Sequence, residues 1–239
     1  MRLLVTRPRE DAASFAELLR ARGHIPTIAP IMDVRPHDGP PIALEGVQAL
    51  VATSANGVRA LAHRTRKRNV PLYAVGPQTA EAAKSVGFKT VHSAEGDSAA
   101  LVEFVADRAD PAKGLLLHAA GAETAGRLRQ ALQAKGFKVE TLVLYDAVPM
   151  SELPDNAKDA LREGSLDGVL LFSPRSAKTF ATLTTEAKLE AACGTLDAFC
   201  ISAATAAALS PLSFARVSVA GAPNQDAMLA LIAPPLPGP

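Results

Sequence analysis

Six short turns, each following an apolar run, hold most of the groups in this chain that could grip or activate a ligand. They are Thr6-Arg7-Pro8, Thr53-Ser54-Ala55-Asn56, Val75-Gly76-Pro77, His118-Ala119-Ala120-Gly121, Ser173-Pro174-Arg175-Ser176 and Ser202-Ala203-Ala204-Thr205. Each offers backbone N–H groups, hydroxyls or a guanidinium. Several are also good helix starts: Ser173 can cap with Pro174 at the first helical position, and Gly76-Pro77 has the same logic. Helix capping accounts for each turn taken singly. Gathered together, free N–H clusters and positive helix ends suit a polyanion. Other machinery is missing. There is no P-loop, no GxGxxG after the first apolar run, no GxSxG elbow and no HExxH. No carboxylate pair sits on these turns for acid–base hydrolysis. The pattern is that of a site holding a multiply anionic ligand in shape.

The elements that must carry these turns come in two copies. Leu3 to Pro36 matches Leu115 to Pro149, with Leu19 on Leu132, Gly23 on Gly136, Asp33 on Asp146 and Pro36 on Pro149 at one offset. Downstream, "TSANGV" pairs with "FSPRSA", "VGPQTA" with "ISAATA", and "DSAALVEFV" with "QDAMLALIA". Each copy alternates apolar runs with amphipathic segments. Phe15, Leu18, Leu19 and Ala12 share one helical face, and Gly23 stops that helix. Continuous apolar strands alternating with helices mean parallel sheets covered on both faces. The expected fold is therefore α/β: two related doubly wound, flavodoxin-like sheets of five strands each, facing across a cleft. Sites for small molecules favour such clefts.

Two Pro-rich segments, 34–41 and 147–154, break the rhythm at equivalent places and read as semi-rigid connectors without helical or strand patterning. Their position inside each repeat predicts interleaving: residues 1–36 with 149–239 as one discontinuous domain, and 37–148 as an inserted one. A simple split near residue 113 also fits. The tail from Pro234 reads as a frayed end.

Composition narrows the partners. The chain has 239 residues, long enough for two domains, and a formal charge of +1, which argues against a nucleic-acid surface. The basic run Arg64-Thr65-Arg66-Lys67-Arg68 reads as a solvated helix end. The histidines (His24, His37, His63, His92, His118) lack metal-ligand spacing, so no metal is expected. Cys193 and Cys200 form no CxxC motif, which fits a reducing compartment. No run approaches membrane length, and the chain opens directly on a strand, so the expectation is a cytoplasmic protein.

"VTRP", "TSANGV", "YAVGPQTA", "LYDAVP" and "LLFSPRSA", in this order across nearly the whole chain, resemble the uroporphyrinogen-III synthase family. The resemblance implies two α/β domains joined by a two-strand connector, and a carbon–oxygen lyase of tetrapyrrole biosynthesis that uses no cofactor. Its substrate would be hydroxymethylbilane, a linear polycarboxylate closed with loss of water and inversion of ring D. Transient contact with hydroxymethylbilane synthase and a monomeric state are expected with it. Carried over by position, Thr6, Arg7, Ser54, Asn56, Gly76, Thr79, Ser173, Arg175 and Ser176 line the substrate site, and Thr205 joins them from its turn. Tyr145 matches a family tyrosine proposed to assist departure of the hydroxyl; packing against the connector explains it equally well. Two turns depart from the family pattern: 118–121, usually an Arg-Gly type, and 202–203, usually Gly-Pro. They leave open a non-catalytic paralogue that binds a polyanion.

Overall fold

Apolar runs and amphipathic segments alternate along the chain, and each becomes a strand or a helix packed on a parallel sheet. The computed structural model describes residues 1–122 and 125–232; the tail read as frayed lies outside them. In chain order come β1 (Arg2–Val5), α1 (Arg9–Ala21), β2 (Ile25–Ile28) and β3 (Met32–Pro36). Next are β4 (Val47–Ala52), α2 (Ala55–Arg64), β5 (Leu72–Ala74), α3 (Pro77–Ser85), β6 (Val91–Ser93), α4 (Ser98–Ala106), β7 (Leu115–Gly121), α5 (Ala125–Ala134) and β8 (Lys138–Pro149). The chain continues through α6 (Asp155–Arg162), β9 (Gly168–Leu171), α7 (Pro174–Glu186) and α8 (Glu190–Cys193). It closes with β10 (Asp197–Cys200), α9 (Ala203–Ala207), β11 (Arg216–Val219) and α10 (Gln225–Leu231).

These elements form two compact units. One comprises Met1–Asp33 with the chain from Val148 on, and the other Val34–Ala147. In the first, the strands lie in the order β11-β10-β9-β1-β2, with parallel pairing throughout. In chain order this is 2-1-3-4-5, the flavodoxin-like arrangement. In the second, the order is β3-β8-β7-β4-β5-β6, parallel from β8 to β6. The repeat-equivalent strands occupy equivalent places in both sheets. The second unit begins at its third repeat strand, however, so its chain order reads 3-2-1-4-5.

The expectation of ten strands is corrected to eleven among the described residues, and the connectors are not devoid of strand. β3 sits at a sheet edge beside β8. His37 N–H donates to Leu144 O at 2.8 Å and Met150 N–H to Ile31 O at 2.9 Å, running in opposite chain senses as an antiparallel pair does. Pro36 is tolerated there because an edge strand has a side that needs no donor.

The cores follow the strand pattern. Leu3, Val5, Leu170 and Phe199 pack with Phe15 and Leu19 of α1 and Met228 of α10. In the second unit Leu50, Ala52, Leu117 and Leu144 face α2 and α3, while Val51, Leu116 and Val139 pack with residues of α4 and α5. Each buried Leu or Phe removes enough apolar surface to contribute about 2 kcal/mol. The duplicated glycines end duplicated helices. Gly23 (φ 78°) and Gly136 (φ 88°) adopt the left-handed conformation, and the next amides, His24 and Phe137, return to Leu19 O and Leu132 O. No helix among the described residues is long and apolar enough to cross a membrane.

Candidate functional site

In a parallel sheet the turns after each strand share one end, where helices begin. In the first unit this brings Thr6, Arg7, Ser173, Arg175, Ser176, Ser202, Thr205 and Gln225 to the carboxyl ends of four neighbouring strands. Their side chains do different work. Thr6 is fully buried and its hydroxyl donates to Leu170 O at 2.8 Å, tying β1 to β9. Arg7 is only 5 % exposed. Its Nη1 donates to Gln225 Oε1 at 2.9 Å, and its Nη2 lies 3.4 Å from Asp11 Oδ2, one turn into α1. The guanidinium stands 4.3 Å from the centroid of Phe172 and 5.7 Å from that of Phe15. A planar, weakly hydrated cation suits such stacking. Arg7 is thus a fixed positive charge beneath the turn.

The helix starts beside it share one motif. Ser173 Oγ accepts from Ser176 N–H at 3.0 Å and lies 2.8 Å from Ser176 Oγ. Ser202 Oγ accepts from Thr205 N–H at 3.2 Å and lies 2.9 Å from Thr205 Oγ1, with Thr205 itself fully buried. Asn224 Oδ1 accepts from Ala227 N–H at 2.9 Å. Each cap answers one of the first-turn N–H groups; the others of each first turn have no partner within their helix. Arg175, in the first turn of α7, is half-buried.

In the second unit the geometry centres on Tyr145, which is 7 % exposed. Its hydroxyl lies 2.8 Å from Ser54 Oγ, and Ser54 Oγ accepts from Gly57 N–H at 3.0 Å. The phenol is thereby attached to the positive end of α2. Two glycines make the room. A Cβ on Gly121 would stand 2.6 Å from Tyr145 Cζ, and one on Gly57 would stand 2.7 Å from Ala119 O. Asn56 Oδ1 accepts from Arg59 Nη1 at 2.7 Å. Gly76 precedes Pro77 at the start of α3 without a side-chain cap, leaving that helix end to backbone N–H groups alone. Thr79 is buried in the same turn region.

The expected turn His118-Ala119-Ala120-Gly121 is corrected: all four residues belong to β7, and the first three are buried within it. His118 is fully buried, neither ring nitrogen has a hydrogen-bond partner among the described residues, and burial lowers its pKa from 6.5 to about 4. Its position inside the apolar run "LLLHAA" was the available signal. The basic run after α2 proves to be partly structural. Arg64 donates to Pro40 O and His37 O, and Arg68 to the carbonyls of Ala62, Thr65 and Val86. A cavity of about 450 Å³ in the second unit includes none of the candidate site residues. It lies by the amino ends of β4 and β7, away from the turns where amides and hydroxyls converge, so the turns remain the better site on chemical grounds.

Comparison with known proteins places the chain. A family model described as uroporphyrinogen-III synthase HemD matches residues 13–230. The chain is 30 % identical over 203 residues to the uroporphyrinogen-III synthase of Synechococcus elongatus, covering 76 % of this chain and 74 % of that protein. Among solved structures, the uroporphyrinogen-III synthetase of Helicobacter pylori has a TM-score of 0.62 at 19 % identity, over 97 % of this chain and 98 % of that one. A mutant uroporphyrinogen III synthase from Thermus thermophilus has a TM-score of 0.50 at 20 % identity, over 96 % of each chain. At these identities the two structures bear on the fold.

Proposed function

This chain belongs to the uroporphyrinogen-III synthase family, and we propose that it is a dehydrating carbon–oxygen lyase acting on hydroxymethylbilane. Family membership makes it an enzyme of tetrapyrrole synthesis, and nothing in the comparisons favours a binding-only paralogue. The observation that supports the finer reading is the site's composition: capped helix starts, a fixed Arg7 and a phenol, with no nucleophile or carboxylate pair among them.

That inventory suits the reaction. The terminal pyrrole nitrogen pushes electrons outward, the hydroxyl takes a proton from solvent as its C–O bond breaks, and water departs to leave an azafulvene cation; the ring carbon that closes the macrocycle gives a proton back. Which pyrrole carbon then attacks decides the isomer. Attack through a spiro arrangement inverts ring D, and simple head-to-tail closure does not. An enzyme for this step must chiefly orient the chain and stabilise charge. Acetate and propionate groups would be held by first-turn N–H groups: in the second unit at α2 and α3, beside Ser54, Asn56, Gly76 and Thr79, and in the first unit at α7, beside Ser173, Arg175 and Ser176 with Arg7 as background charge. The phenol of Tyr145, attached to Ser54, would sit where the leaving hydroxyl needs a hydrogen bond.

Hydroxymethylbilane generated in situ and given the purified protein is expected to yield mainly the type III isomer, read by chromatography after oxidation. Product that stays type I while tetrapyrrole is retained would overturn the enzyme reading. A proton delivered by a positioned acid contributes about a hundredfold or more. Tyr145→Phe is expected to slow turnover by less than that and to leave the isomer unchanged. A larger fall at unchanged affinity would instead assign the phenol the departing proton.

Ser54→Ala combined with Ser173→Ala is expected to weaken tetrapyrrole binding more than folding. Each lost cap costs about 1 kcal/mol, so urea denaturation sets the structural share. A sharp fall in stability with unchanged affinity would make both serines caps alone.

A further inference from the structure

The duplication lets one half of the chain explain a gap in the other. In the first unit the stretch after the connector builds α6, and Leu153, Ala157, Leu161 and Leu166 in it are buried. Asn156 Nδ2 donates to Ile28 O at 2.9 Å, setting α6 beside the end of β2. Leu4, Ala29 and Ile31 of that unit are fully buried. Their repeat partners, at the offset that sets Leu19 on Leu132, are Leu117, Leu142 and Leu144. The second unit's corresponding stretch, residues 37–46, is shorter, carries Pro40-Pro41 and holds no helix. The cavity of about 450 Å³ reaches these partners, of which Leu117 and Leu144 are buried and Leu142 is half-buried, and Ile42, Val47 and Leu115 are also in its walls.

The charges at this cavity are unevenly satisfied. Arg64 is engaged by the carbonyls of His37 and Pro40, which it holds as one wall. Glu45 is paired with Lys67. Glu140 is exposed, and no hydrogen bond or ion pair to it is found among the described residues. The helix of the other unit carries Lys158 and Arg162 beside its buried Ala157 and Leu161.

We propose that this cavity is a docking site for one amphipathic helix of a partner protein, the element that α6 supplies in the first unit and the second unit lacks. The occupant presents a small residue and a leucine four positions apart, which fall on one helical face, with a basic residue toward Glu140. A helix fits better than a compact ligand because the other repeat follows its equivalent strands with one, α6, anchored at the end of β2 by Asn156.

The test uses the full chain and a helix-stapled, fluorescent peptide of residues 151–166 of this sequence, stapled so that folding cost does not mask binding. Saturable binding is expected, weakened about tenfold or more by Glu140→Lys and by Leu142→Glu. Ile25→Glu, an exposed change on the first unit, is expected to leave binding intact. Glu140→Lys alters an exposed side chain, so the test stands even where Leu142→Glu unfolds. No binding at about 1 mM peptide overturns the proposal, as does binding that survives both second-unit variants. Saturable binding of hexylamine without peptide binding overturns it in favour of a small apolar cation. Self-association lost in Leu142→Glu overturns it in favour of a second copy.

Discussion

Acidification from pH 6.5 to pH 4 is expected to remove about 3 kcal/mol of stability through a single side chain, His118. The unfolded chain takes up a proton on this imidazole as pH falls through its ordinary value of 6.5, whereas the folded protein does so only near 4. The contribution is therefore complete above 6.5, declines by about 1.4 kcal/mol per pH unit between the two values, and levels off below 4. His24, whose pKa burial also lowers, adds to the same trend. His37, whose pKa is raised by its hydrogen bond to Asp146, opposes it. His118→Leu isolates the effect. The variant is expected to lose this part of the pH slope, and to be more stable at neutral pH by about 1 kcal/mol because two orphaned buried nitrogens are gone. Urea denaturation across this pH range decides the matter; wild-type and variant curves that run parallel would show that His118 is solvated in the folded protein.

Gly57→Ala is expected to reverse the sign of an ordinarily helpful substitution. Replacing a helical glycine by alanine usually gains up to about 1 kcal/mol. Here the new Cβ would meet Ala119 O at 2.7 Å and Ala119 C at 3.3 Å, and backbone cannot swing aside as a side chain can. The start of α2 must move away from β7, drawing Ser54 from Tyr145. The expected cost is about 2 kcal/mol, in the range of overpacked cores, together with a fall in the type III fraction. Gly126→Ala in α5 is the control, since nothing among the described residues lies within 4 Å of its added carbon and no stability should be lost. Equal behaviour of the two variants would show that α2 and β7 are less tightly joined than their geometry states.

What the sequence disclosed depended on how local the cause was. β1 and the first half of β7 are apolar runs, and Gly23 and Gly136 stop their helices through their own backbone, so these features were legible; the continuation of β7 through His118 to Gly121 was read as a turn. β3 was not. Met32-Asp33-Val34-Arg35-Pro36 mixes charges with apolar residues and ends in proline, a pattern that an edge strand tolerates and a connector shares. The caps at Ser54, Ser173 and Ser202 were readable because donor and acceptor lie three residues apart. The bond from Ser54 to Tyr145 spans 91 residues, and no spacing rule could reveal it. Arg7 shows both cases: Asp11 stands one turn away, while Phe172 and Gln225 meet it only through the fold. The burial of Thr6 and Thr205 was hidden for a related reason, since a hydroxyl at a strand end looks the same whether it faces solvent or a neighbouring carbonyl.

The interleaved path also imposes a timetable on synthesis. β1 lies inside its sheet, between β2 and β9, yet β9 begins at Gly168. While the ribosome makes residues 34–147, the whole second unit becomes available to fold, and domains fold as units in the order they emerge. Throughout that interval one long edge of Leu3, Leu4 and Val5 waits for a strand not yet translated. The strand β1 is therefore the stretch most in need of shielding, and a chain stalled between Ala147 and Gly168 would carry a finished half alongside an apolar strand with one side unpaired.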